Sequence, residues 1–156
     1  MGYTHYHNGL IFTDAGWEKL RRDVRKLLKS LPENVKVQRE YDRATRPLVG
    51  KDVIRFNGVG EDGHETFWFP KVWEGFCFTK TSRKPYDLAV CCVLMLASFH
   101  ADGGDPKEDG ISSDGINAAH GQWPDNVDQE WKDAWKHFKT VFPKIDKGMA
   151  FKLFTE

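Results

Sequence analysis

The densest set of anion-gripping groups in the chain is Thr79-Lys80-Thr81-Ser82-Arg83-Lys84-Pro85-Tyr86-Asp87, with three cations and three aliphatic hydroxyls just ahead of an expected helix start. Unpaired N–H groups and the helix dipole attract anions at such an entrance. Arg adds a two-pronged grip on phosphate or carboxylate. Lys80, Thr81, Arg83, Lys84 and Tyr86 are therefore candidate ligand residues, although Asp87 in the first turn could satisfy the amides itself. Ser112-Ser113-Asp114-Gly115 is a turn whose hydroxyl and carboxylate groups suit a ribose or a base edge. Tyr6 and Trp68 offer rings on which a base could stack.

Other constellations point to chemistry less sharply. His5 and His7 alternate on an expected strand and share one face, but no third ligand has a defined spacing, so no metal is expected. Asp102, Asp105, Asp109 and Asp114 suggest calcium until Lys107 interrupts the pattern. His64-Glu65-Thr66-Phe67 looks like half of a two-histidine phosphoesterase whose second element is missing. Gly58-Val59-Gly60-Glu61-Asp62-Gly63 matches a dinucleotide fingerprint, yet a strand rather than a helix follows, so it is read as a hairpin turn. No serine elbow and no cysteine with a cationic sequence neighbour is present.

The elements that must hold these groups follow from periodicity. Trp17, Leu20, Val24, Leu27, Leu28 and Leu31 recur at helical spacing over 14–31, with Asp14 or Thr13 as cap and Pro32 as stop. Strand signals fall at 35–37, 52–57, 65–69 and 75–79, with further ones at 3–7 and 111–113. A helix starting at Pro85 and running to about His100 is apolar on nearly all sides, which places it centrally. A third helix spans about 127–142, with Trp131, Trp135 and Phe138 on its apolar face. Short spacings imply antiparallel pairing. The expectation is one α+β domain over residues 1–156: a single antiparallel sheet with three helices, the apolar one in the middle.

Composition bounds the rest. The 156 residues carry 23 basic and 23 acidic side chains, which excludes a uniformly basic polyanion binder. The zero is a sum of poles: residues 1–50 hold 10 cations and 6 acids, and residues 101–156 hold 7 and 11. Within 102–130, Lys107 stands against eight acids. Three cysteines, two of them adjacent in an apolar run, fit a reducing cytoplasm. The opening residues lack a secretion signal, Tyr6 stands where a myristoylation motif needs Ser or Thr, and no apolar run is long enough for a membrane span.

Five fragments occur in one order: Met1-Gly2-Tyr3-Thr4-His5-Tyr6, Ile54-Arg55-Phe56-Asn57-Gly58, Glu65-Thr66-Phe67, Lys80 to Asp87, and Ser112-Ser113-Asp114-Gly115. In this the chain resembles a family of small uncharacterised proteins of bacteriophages and bacterial genomes. The resemblance covers most of the chain. It departs at His7, where the family pattern has Trp, and in the stretches 105–110 and 120–126. It implies a source and a shared architecture, not a reaction, and a phage source favours action on host factors or host signals.

The resulting expectation is a cytoplasmic binder, not an enzyme, that captures a nucleotide or cyclic nucleotide without a cofactor and so counters a host defence signal. Lys80, Thr81, Arg83 and Lys84 would hold phosphate, Ser112, Ser113 and Asp114 would bond ribose or base edges, and Tyr6 or Trp68 would stack. Two alternatives stand beside it. One is a nucleotide hydrolase using His5 or His64 with Asp114. The other is an inhibitor of a host enzyme that presents its acidic 102–130 loop. The first reading leaves room for a homo-oligomer and none for a membrane.

Overall fold

Thr13 begins the first helix: its side chain accepts from the Gly16 N–H, and α1 (Asp14–Lys29) ends at Ser30. Trp17, Leu20, Val24 and Leu27 are buried along one stripe, and each such side chain contributes roughly 1.5–3 kcal/mol. The computed structural model describes residues 2–155 except Asp42, Arg43, Glu74, Pro106, Lys107, Asp109, Ala118 and His120. Lys107 and Asp109 of the calcium reading thus lie outside the described residues.

The apolar helix α2 (Asp87–His100) takes the central position its composition requires, with eleven of its fourteen residues buried. It starts two residues later than Pro85 suggests, because Pro85 and Tyr86 belong to the preceding turn. Helices α1 and α3 (Gln129–Val141) pack against it, as does a short α4 (Lys147–Ala150). Asp128 caps α3 by accepting from the Trp131 N–H.

The strands are β1 (Thr4–Asn8), β2 (Leu10–Ile11), β3 (Val37–Gln38), β4 (Leu48–Val49), β5 (Val53–Gly58), β6 (Phe67–Pro70), β7 (Phe78–Lys80), β8 (Gly103–Gly104) and β9 (Gly110–Ser113). Among the described residues the pairings between these strands are antiparallel, with one isolated parallel bridge between Ile111 and Phe154, so the fold is α+β. The single sheet with three helices is corrected: there are several sheets and a fourth helix. One sheet has the order β7-β1-β9, a second pairs β2 with β8, and a third is built on β5, flanked by β3, β4 and β6.

The division has a local cause. The chain turns at Gly9 with φ +75°, which separates β1 from β2. The segment between β6 and β7 does not close a hairpin, because β7 pairs with β1 from the far end of the sequence. Gly58–Gly63 does link two paired strands, β5 and β6, with a single 3-10 turn at Gly60–Asp62. Ile54, Phe56, Phe67 and Phe69 from that hairpin join the cluster around α2. Among the described residues no helix is long and apolar enough to cross a membrane.

Candidate functional site

Strand β1 is central in its sheet, so its register fixes which candidate residues can meet. Tyr6 stands opposite Phe78 on one side and Ser112 on the other, Thr4 opposite Lys80, and His5 opposite Thr79 and Ser113. Directly opposed residues share a face. Tyr6, Phe78, Lys80 and Ser112 therefore lie on the outer side. His5, Thr79 and Ser113 lie on the inner side with α2.

The inner side holds a closed polar network. His5 is fully buried, with Nδ1 2.8 Å from Ser113 Oγ and Nε2 2.6 Å from Asp87 Oδ1. Asp87 Oδ1 also accepts from the Thr81 hydroxyl at 2.5 Å, and Oδ2 accepts from Cys91 Sγ at 3.5 Å. Ser113 Oγ accepts from Trp131 Nε1 at 2.9 Å and from the Gly115 N–H at 3.0 Å. With both lone pairs engaged, the Ser113 hydroxyl must donate to His5 Nδ1, which leaves the ring proton on Nε2 to donate to Asp87. The order Ser–His–Asp resembles a nucleophile relay, but all three residues are buried and the serine oxygen faces inward to two N–H donors, so this set is closed to a substrate from solvent. Burial pushes the Cys91 and Cys92 thiols well up, so neither is a ready thiolate.

His5, Asp87 and Cys91 are also three donors within 4.8 Å of one another, a set that could coordinate a metal ion. Asp87 and Cys91 are one turn apart on α2, and here the three groups hydrogen-bond one another, His5 Nε2 to Asp87 Oδ1 and the Cys91 thiol to Oδ2. The network reads as the joint that fixes β1, β9 and the 81–87 turn to α2.

That turn is strained. Ser82 and Arg83 take φ of 52° and 57°, which non-glycine residues seldom adopt. The conformation carries the Arg83 guanidinium to 4.1 Å from the Tyr3 ring centroid and into ion pairs with Asp128 (3.2 Å) and Glu130 (2.6 Å). Those acids, Glu130 foremost, hold the guanidinium pKa above its usual value. Tyr3 donates to Asp128, and a side chain at Gly115 would run into both the Tyr3 hydroxyl and the Asp128 carboxylate. Part of the acidic 102–130 stretch is thus structural: Asp128 caps a helix while binding Tyr3 and Arg83.

The helix entrance differs from the expected anion cradle. Lys84 and Arg83 line a hollow of about 350 Å³ beside Asp87, Glu130 and Asp133, so acids outnumber cations there. The Asp87 and Leu88 amides donate to the carbonyls of Lys84 and Pro85. The buried Tyr86 hydroxyl donates to the Glu65 carbonyl at 2.5 Å.

The outer side offers a different surface. Tyr6 contacts Phe76 with ring centroids 5.7 Å apart, and Phe76 contacts Phe78 at 5.6 Å. Phe76 is 67% exposed and Phe78 45%, values far above those of core aromatics. The Lys80 ammonium sits 5.9 Å from the Phe78 centroid and has no acid partner among the described residues. Ser112 flanks Tyr6 on the other side. Asp114, one residue beyond β9, accepts from the Thr4 N–H with an otherwise exposed carboxylate.

Of the eleven candidates, Tyr6, Lys80, Ser112 and Asp114 meet at this face and its end. His5, Thr81 and Ser113 meet inside. Arg83, Lys84 and Tyr86 stay at the turn, and Trp68, 43% exposed, stands on β6 in another sheet, without a ring contact among the described residues. His64 is exposed, with Nδ1 2.8 Å from the Lys80 carbonyl, and His5 faces Asp87 rather than Asp114. Phe76 and Phe78 were not expected in a site. Their signal is the Phe-Cys-Phe alternation, in which buried Cys77 leaves both rings outside.

No known family model matches the chain, and neither the curated proteins nor the solved structures contain a match.

Proposed function

We propose that this protein captures a nucleotide or cyclic nucleotide on the outer face of the β7–β1–β9 sheet and does not turn it over. The observation that carries the reading is the row of three touching, solvent-facing rings, Tyr6, Phe76 and Phe78, bounded by a cation and by hydroxyl and carboxylate acceptors. A base stacks on such rings with roughly 1–3 kcal/mol per base. Lys80 supplies the charge for phosphate, and Ser112 with Asp114 supplies partners for ribose hydroxyls. An open sheet face lets the remainder of a dinucleotide or a cyclic ring project into water. Non-catalytic capture is favoured because the Ser113–His5–Asp87 set is buried away from solvent. With a phage source, sequestering a nucleotide messenger would counter a host defence signal.

Titration with mononucleotides, cyclic dinucleotides and ADP-ribose, followed by thermal shift and calorimetry, tests the proposal. A ligand at 100 times its dissociation constant adds about 2.7 kcal/mol to stability. Phe78→Ala and Tyr6→Ala are each expected to weaken binding between about 5-fold and 150-fold, the range that the stacking energy implies. Lys80→Gln is expected to weaken binding and flatten its salt dependence. Silence toward every nucleotide at millimolar concentration, or unchanged affinity in Phe78→Ala, would overturn it.

A further inference from the structure

A separate groove of about 1090 Å³ lies between the C-terminal half of α1 and the segments that lead into β3 and β4. Arg25 and Lys29, one turn apart on α1, line it together with Lys36 and Arg46. Among the described lining residues Glu33 is the one acid. Leu28, Leu31, Val37 and Val49, each only partly buried, line it as well. Among the described residues Lys29, Lys36 and Arg46 have no acid partner, while Arg25 donates to the Val49 carbonyl at 3.3 Å.

We infer that this groove is a docking site for an acidic amphipathic peptide segment of a partner protein. The lining selects that occupant. Among the described lining residues four cations against one acid call for a negatively charged ligand. The aliphatic residues beside them call for an apolar stripe next to that charge, which is the pattern of an amphipathic helix laid in a groove. The trough is also open: Arg25, Lys29, Pro32, Glu33, Lys36 and Arg46 are all exposed, so it cannot enclose a single lipid chain as a ligand pocket does. Among the described residues no aromatic side chain lines it, so bases would have no ring there to stack on. The inference is independent of the nucleotide reading, which uses another face.

The test is fluorescence anisotropy with a labelled amphipathic peptide of about 16 residues, Leu at helical i, i+3, i+4, i+7 spacing and Glu elsewhere, beside a counterpart with Lys for Glu. The Glu peptide is expected to bind, the Lys peptide not, and binding is expected to weaken as salt rises. Lys29→Glu combined with Arg46→Glu is expected to weaken it about tenfold or more, with the unfolding transition retained because both side chains are exposed. Should the double variant unfold, Lys29→Gln alone carries the test, with a loss of about threefold. Equal binding of both peptides, binding of neither at about 0.1 mM, or full affinity in the charge variants would overturn the inference. So would displacement of the peptide by an equal concentration of dodecanoate or of oligothymidylate, which would assign the groove to a lipid or to nucleic acid.

Discussion

Asp87→Ala is expected to destabilise the protein by about 3–5 kcal/mol, the cost of removing one member of a buried, hydrogen-bonded polar set. Three donors converge on that carboxylate from three elements: His5 Nε2 of β1, the Thr81 hydroxyl of the strained turn and the Cys91 thiol of α2. Truncation leaves all three without an acceptor in a site closed to water, since Asp87 is 3% exposed and His5, Thr81 and Cys91 are fully buried. Typical domains have only about 5–15 kcal/mol of stability, so the variant is expected to unfold at much lower urea concentration. Asp87→Asn keeps one acceptor oxygen and should fall between. A loss in Asp87→Ala below about 1 kcal/mol, the worth of an ordinary hydrogen bond, would show that the network is not a joint.

The second large effect is acid lability centred on His7. Its ring is buried between Phe67 and Phe69, with centroids 5.9 and 4.7 Å away. It donates one N–H to the Trp68 carbonyl, and Nε2 has no partner. Burial, helped by neighbouring His5, lowers its pKa from 6.5 to about 3. The unfolded chain therefore takes up a proton below about pH 6.5 that the folded chain refuses until about pH 3. Stability is complete above the unfolded value and falls by about 1.4 kcal/mol per pH unit as pH drops through that window. Urea midpoints measured from neutral pH down to about pH 4.5, above most carboxylate titration, are expected to decline at that rate. In His7→Phe, which keeps an apolar ring between the two phenylalanines, the decline should become shallower, leaving the part that His100 and His137 contribute, since burial lowers their pKa values as well. An identical slope in His7→Phe would assign the lability to other groups.

The helices were legible because burial against a core follows a 3.6-residue period that no other element imitates. Trp17, Leu20, Val24 and Leu27 mark one such stripe, and the run from Leu88 to Ala97 marks a helix apolar all round. The longer strands were legible too, within one to three residues, but the two-residue strands β2, β4 and β8 were not, because a pair of residues shows no alternation. What could not be read was pairing. Whether β7 folds back on β6 or crosses to β1 depends on contacts across 70 residues and more, and no local pattern specifies it. The candidate site shared that fate.

Alternation placed His5 and His7 on one side of β1, yet a histidine pair reads equally well as a solvent-facing ligand set or as buried. Only the contacts with Asp87, Ser113, Phe67 and Phe69 decide. Tyr6, Lys80 and Ser112 come from three strands, and their common face is a property of two registers. Thr81 and Arg83 looked like free anion donors because the sequence does not reveal that Asp87, Asp128 and Glu130 take them.

The central position of β1 also sets the order in which this molecule can be made. His5 waits for Ser113, its partner 108 residues further along the chain. At the usual pace of about 5–20 residues per second, translation leaves the first strand without its ladder to β9 for roughly 5–20 s. Throughout that interval at least one edge of this strand stays unpaired, even once β7 has emerged. Such a topology folds late and by long-range closure, so its yield in a cell should depend on what shields residues 3–8 until the last third of the polypeptide emerges.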